Sequence, residues 1–391
     1  MNEFSTGRLL HTPEGVRDIY GAEYAKKRIV TDRIRQNLLL YGYEEIQTPV
    51  FEYFDVFSNE IGTTPAGKLY KFFDKDGNTL TLRPDFTPSA ARCAAKYYRD
   101  QTDPIRLCYE GSAFVNTSDL QGKLKETTQM GVELIGDDSP QADAETIALL
   151  VHCLRDAGLP EFKISLGNAD YFRGLCEAVR MDSEMESALR EYISGKNVFA
   201  AEQLLTDAGV SAGDRKHLLA VTELIGPGST LDDAAEEADN ERSFRAVSRL
   251  RIVYDILKLY GVEDYVSFDL SMLSKYNYYT GIIFRGFTYG VGDVVASGGR
   301  YDNLLGHFGR EAPAIGFMIP VDTLMEALRR QHREVKIPPE AVTVTYDGEN
   351  FEEKLSLAEN LRRSGTSVRL VPRKSMQEQQ CSKTTRHGER V

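Results

Sequence analysis

Positive charge is in short supply in this sequence. Its 47 lysines and arginines face 59 aspartates and glutamates, for a net charge of −12. Such a surface repels a phosphate backbone on average, so only a local basic patch would support nucleic-acid binding. Long apolar runs are also missing. No stretch approaches the roughly 20 residues needed to span a bilayer. The segment Met1–Thr6 has no basic flank leading into an apolar core, so neither a membrane span nor a signal peptide is expected, and the expected location is the cytoplasm. Cysteine is scarce and unpatterned. Cys93, Cys108, Cys153, Cys176 and Cys381 make an odd count with no CxxC spacing, which reads as buried thiols in a reducing compartment. The six histidines show no metal-ligand spacing, so the reading calls for no metal and no cofactor.

What is present is the composition of a globular protein: 41% apolar and 27% charged residues over 391 positions. That length suits two or three domains of about 100–200 residues each. The first pattern is helical, from about Glu23 to Tyr41, with Ile29, Val30, Ile34 and Leu38 on one face and Gly42 as its stop. Tyr43–Glu52 is β-rich but contains Pro49, which favours an edge or an interface. Lys68–Phe73 and Thr79–Arg83 read as strands around Gly77, and Pro88 opens a helix to Tyr98. Ile105, Leu107 and Tyr109 alternate as in a strand, Thr127–Ile135 is its partner, and Val115–Glu126 is the loop between. Strands joined by hairpins rather than crossover helices predict an antiparallel sheet and an α+β fold.

An amphipathic helix follows over Asp143–Ala157, then a short strand at Lys163–Leu166. Residues 171–260 read as a charged helical insertion, with Asp232–Glu241 as a solvated acidic face. Strands return at Val266–Leu270 and Ile282–Phe287, Ser297–Asp302 reads as a glycine turn, and Ala314–Met318 as a small strand before a helix at Pro320–Arg330. The expected organisation is a core of 1–170 with 261–332, the insertion 171–260, a partial α/β unit at 340–375 and a disordered tail at 376–391.

The stretch Leu82–Gly136 carries the chemistry. Asp85, Thr87, Gln129 and Glu133 place acids, an amide and a hydroxyl at strand ends, where an amine-bearing ligand can sit. Plainer readings stand beside this one: Asp85 as a cap for the helix at Pro88, Glu133 as a surface strand residue, Tyr279 and Tyr301 as core. Gly298-Gly299-Arg300 is either a tight turn or a turn that aims its arginine at a ligand carboxylate.

Four segments, in order, resemble the class II aminoacyl-tRNA synthetases, the histidyl enzymes above all. They are Tyr43–Glu52, Leu82–Gly136, Asn277–Gly281, and Ser297–Asp302 with Ala314–Phe317. The resemblance implies a six- or seven-stranded antiparallel sheet flanked by helices and a dimer through the first segment. It places Asp85, Thr87, Gln129, Glu133, Tyr279 and Tyr301 around the amino group and imidazole of a bound histidine. It fails where amino-acid activation needs cations. Three arginine positions are Val115, Ser274 and Thr323, and the loop lysines Lys123 and Lys125 do not reproduce a bidentate fork. A pocket retained with its phosphate-handling apparatus removed is similar to the histidyl-tRNA synthetase-like regulatory subunits of ATP phosphoribosyltransferase. That family implies no catalysis in this chain, a short-form catalytic partner, a homodimer within a hetero-octamer, feedback inhibition by histidine in histidine biosynthesis, and no tRNA. The competing reading is an active histidyl-tRNA synthetase or a related amino-acid-activating ligase. The loops Lys68–Tyr70 and Val115–Lys125 are the expected contacts with the partner.

Overall fold

The computed structural model describes residues 10–58, 64–117, 123–273 and 279–373. They fall into two compact units, divided between Val335 and Lys336.

The strands of the first unit are β1 (Glu44–Glu45), β2 (Phe51–Tyr53), β3 (Lys71–Phe73), β4 (Thr79–Leu82), β5 (Ile105–Phe114), β6 (Glu126–Ile135), β7 (Lys163–Asn168), β8 (Ile225–Gly226), β9 (Val266–Asp269), β10 (Ile282–Phe287), β11 (Ala296–Arg300) and β12 (Ala314–Pro320). Nine of them form one sheet in the order β1-β5-β6-β12-β11-β10-β7-β9-β8. The sheet is antiparallel except for β1 with β5 and β7 with β9. It exceeds the expected six or seven strands because the two-residue strands β1 and β8 extend its edges, and strands this short carry no periodicity to read. β2, β4 and β3 form a separate three-stranded sheet.

Side-chain alternation along β6 builds the two layers. Met130, Val132 and Leu134 point into the larger core, with Val30, Ile34 and Leu38 of the helix Gly21–Leu40 and Ile147, Leu150, Val151 and Leu154 of the helix Pro140–Asp156. Ile135 belongs to a smaller core with Ala91 and Ala94 of the helix Thr87–Tyr97. The same face of β6 carries Glu133 and Gln129. Helix ends follow local chemistry. After Leu40 the chain turns through Gly42 at φ 76°, the Gly42 amide reaching the Leu39 carbonyl and the Tyr43 amide that of Leu38, a Schellman closure that a Cβ would strain. Ser139 caps the helix Pro140–Asp156, its hydroxyl accepting from the Ala142 amide at 3.2 Å.

Residues 169–259 are mostly helical, but β8 lies within them and pairs with β9 of the main sheet. Their apolar residues, among them Leu175, Leu189, Leu205 and Leu250, continue the larger core without a break. The segment Ser297–Asp302 is not a turn. It lies largely in β11, a central strand whose glycines are needed for packing: a Cβ on Gly298 would meet the Gly316 carbonyl oxygen at 2.3 Å.

The second unit comprises β13 (Val342–Tyr346), the helix Phe351–Arg363 and β14 (Val368–Pro372), with the two strands parallel. The tail expected at 376–391 lies outside the described residues. No helix among the described residues is long and apolar enough to cross a membrane.

Candidate functional site

Asp85, Thr87, Glu133, Tyr279 and Tyr301, far apart in sequence, line one cavity of about 150 Å³. Its volume equals about five waters, the scale of a small amino acid. Ser297, Gly298, Gly299, Gly316, Phe317 and Met318 complete the wall. Pairing register explains the hollow. Glu133 lies across from Gly316, and Gly316 from Gly299, so two adjacent strands put glycine beside the glutamate. A Cβ on Gly316 would come within 2.0 Å of Glu133 Oε2, and one on Gly299 within 2.7 Å of the Tyr279 ring.

Glu133 is 1% exposed, which removes the surface-strand reading. Three hydroxyls donate to it: Thr87 at 2.7 Å and Tyr109 at 3.5 Å to Oε1, and Tyr301 to Oε2. Burial pushes its pKa up to about 8 against the opposing pull of these hydroxyls, and the neighbouring Asp85 pushes the same way. In the ligand-free protein at neutral pH, Glu133 is therefore largely protonated. An ammonium or imidazolium brought to the cavity would favour its ionised form.

A stack of side chains holds this arrangement. The Arg83 guanidinium donates to the carbonyls of Ser112 and Thr48 at 2.8 and 2.9 Å and lies 3.9 Å from the centre of the Phe86 ring. Phe86 in turn stacks on Tyr109 with centroids 4.3 Å apart. Arg83 thus ties the Tyr43–Glu52 segment to β5 and sets the ring whose hydroxyl meets Glu133. The helix Thr87–Tyr97 has Phe86, not Asp85, at its cap position, without a side-chain cap hydrogen bond.

Gln129 does not line the cavity. It lies four residues from Glu133 on the same strand face, and the Tyr109 hydroxyl, within 2.4 Å of where a Gly131 Cβ would be, stands between them. The Gln129 side-chain oxygen is buried without a hydrogen-bond partner. Arg300 does not face a ligand carboxylate. It points away from the cavity, donating to Asp143 at 2.6 Å, to Asp302 at 3.1 Å and to the Asp137 carbonyl at 3.1 Å.

Sequence reasoning missed Tyr109 as a site residue, although its alternation with Ile105 and Leu107 put it on the cavity face. It also missed Arg285, a charged residue within the otherwise apolar strand β10.

At Val115, where the synthetase resemblance calls for an arginine, the backbone amide donates to the Lys125 carbonyl at 2.9 Å. Thr323 lines a groove of about 420 Å³ with Lys123, Asp293 and Arg330. Lys123 is paired with Asp293 at 3.0 Å, and Arg330 with Glu326 at 2.5 Å. Ser274, Asn277, Tyr278 and residues 118–122 of the loop lie outside the described residues. Among the described residues no group of three or more His, Cys, Asp or Glu is arranged to hold a metal, and Cys93, Cys108, Cys153 and Cys176 are free thiols.

Known proteins bear on this geometry. The family model described as Histidyl-tRNA synthetase matches residues 15–324. A protein of Acetivibrio thermocellus named ATP phosphoribosyltransferase regulatory subunit is 40% identical over 92% of this chain and 86% of its own length. A crystal structure from Bacillus halodurans, described as an ATP phosphoribosyltransferase regulatory subunit/histidyl-tRNA synthetase, superposes with a TM-score of 0.87 at 32% identity, covering 96% of each chain. A histidyl-tRNA synthetase from a Nostoc species, 21% identical, superposes with a TM-score of 0.79 over 97% of this chain and 90% of its own, a likeness of fold alone.

Proposed function

Since this chain belongs to the histidyl-tRNA synthetase family, and within it to the ATP phosphoribosyltransferase regulatory subunits, we propose that it regulates the first step of histidine biosynthesis without catalysing it. The turnover belongs to a short-form catalytic partner that condenses ATP with phosphoribosyl pyrophosphate. Histidine is the effector, held in the cavity of Asp85, Thr87, Glu133, Tyr279 and Tyr301. Gln129, two residues beyond Gly131 on β6, is separated from Glu133 by the Tyr109 hydroxyl.

The observation that carries this reading is the pairing of an intact polar cavity with Val115 and Thr323 at positions that need cations. Adenylation builds negative charge on a phosphate, and loss of one preorganised donor typically costs about 10²–10³ in rate. The same argument tells against an amino-acid-activating ligase.

Two surfaces suit the assembly. The Asn116 amide donates to the Lys68 carbonyl at 2.9 Å, so the loops proposed to meet the catalytic subunit touch at this point. Phe51, Tyr53 and Phe72 are exposed on one face of the small sheet, Phe51 at the end of the Tyr43–Glu52 segment, an apolar patch suited to a homodimer within the hetero-octamer.

Reconstitution tests the reading. Adding the full chain to a short-form catalytic subunit is expected to raise turnover, and millimolar histidine to lower it. A coupling of about 1–3 kcal/mol corresponds to roughly 5–150-fold. Turnover indifferent to the chain would refute the proposal.

A further inference from the structure

The cavity-facing side of the central strands carries one more charged group. Register places Arg285 across from Ser297, and Ser297 across from Met318. Both Ser297 and Met318 line the cavity, so Arg285 is the next residue outward in the same cross-strand row. Along β6, β12, β11 and β10, the charged residues that alternation puts on this face are Glu133 and Arg285. Arg285 is half-buried, and no ion pair or hydrogen bond engages it among the described residues. Other arginines that border a cavity on this sheet are paired. In the cleft of about 800 Å³ on the far side of Arg300, Arg242, Arg245, Arg249 and Arg300 are all salt-bridged. A half-buried guanidinium with no carboxylate partner among the described residues, one position outward from a polar cavity, is suited to a ligand carboxylate.

We propose that Arg285 binds the α-carboxylate of the amino acid in the Glu133 cavity and so makes the site selective for a zwitterion. This rests on the amino-acid reading above and deepens it. Glu133 and Arg285 are three strand spacings apart and offset by two residues along the strands, since Ile283 is the β10 residue in the Glu133 row, so their Cα atoms lie about 16 Å apart. An amino acid with its ammonium toward Asp85 and its imidazole toward Glu133 would offer its carboxylate to an arginine extended over Ser297 toward Met318. The charge of Arg285 already acts on the Tyr279 hydroxyl, lowering its pKa against the larger upward push of burial. Arg285 therefore lies within electrostatic reach of the wall.

The test compares L-histidine with histamine, which lacks only the carboxylate, by calorimetric titration of the full chain, alone and with the catalytic subunit. Wild type is expected to prefer histidine. Arg285→Gln should weaken histidine by about 10–100-fold and leave histamine unchanged, so that the preference collapses. Arg285→Lys should restore part of it. The proposal fails if Arg285→Gln binds histidine as wild type does, if both ligands weaken in parallel, or if the variant loses affinity for ATP or inorganic phosphate instead. Should wild type bind no histidine in either setting, the effector reading itself falls, and the arginine's role with it.

Discussion

Two buried carboxylates stand on opposite sides of the same sheet, and they are treated differently. Asp143, wholly buried, sits between two guanidiniums, Arg300 at 2.6 Å and Arg249 at 2.7 Å. Burial raises its pKa, and both arginines oppose that rise. Glu133, equally buried, accepts from hydroxyls and has Asp85 rather than a cation beside it, and carries a pKa of about 8. Charge compensation makes the first a fixed structural joint. Its absence leaves the second poised to change protonation when a cationic group arrives. An unsaturated buried acid is unfavourable for stability, and such groups concentrate where a ligand completes the set.

The comparison can be broken at the joint. Asp143→Ala strands Arg300, only 5% exposed, without its main partner, and should cost about 3–5 kcal/mol in denaturant unfolding. A smaller loss should follow from crowding the cavity. Gly316→Ala sets a methyl against the Val132 carbonyl oxygen and Glu133 Oε2, so we expect a cost of about 2–3 kcal/mol and loss of histidine binding by calorimetry.

Glu133→Gln sharpens the contrast by mimicking the protonated form. The folded pKa of about 8 lies above the ordinary 4.5, so the unfolded chain releases its proton first as pH rises. The contribution of Glu133 to stability is thus complete below about pH 4.5 and is lost as pH climbs through 8. The glutamine variant should escape this decline, melting above wild type at pH 8 by the equivalent of about 1–3 kcal/mol, with the gap closing toward pH 5. It should also bind histidine more weakly. Thr87→Val removes a single hydroxyl donor to Glu133 and should cost about 1 kcal/mol, read as a small shift in thermal midpoint.

Much of the architecture was legible because it is local. The stop at Gly42, the helix opening near Pro88 and the period-two alternation of β5 and β6 are written in neighbouring residues. Five of the six candidate site residues lie around one cavity, as ordered motifs suggested, and Gln129 does not. What was not legible depends on register between distant strands. Only pairing shows that Gly316 and Gly299 lie beside Glu133, that Tyr109 crosses Gly131, or that Arg285 shares a row with the cavity wall. Arg300 was misjudged for the same reason. Its neighbour Gly299 faces the cavity, and alternation turns the arginine to the opposite side, toward Asp143.

The central claim is that a small zwitterion is still held after the means of activating it has gone. Histidine-dependent exchange of pyrophosphate into ATP by the purified chain tests this most directly. With Val115 and Thr323 at positions where the synthetase resemblance calls for arginine, the rate should stay at the protein-free background even at saturating histidine. Robust exchange that requires histidine would contradict the account, because some other group would then be stabilising the phosphate.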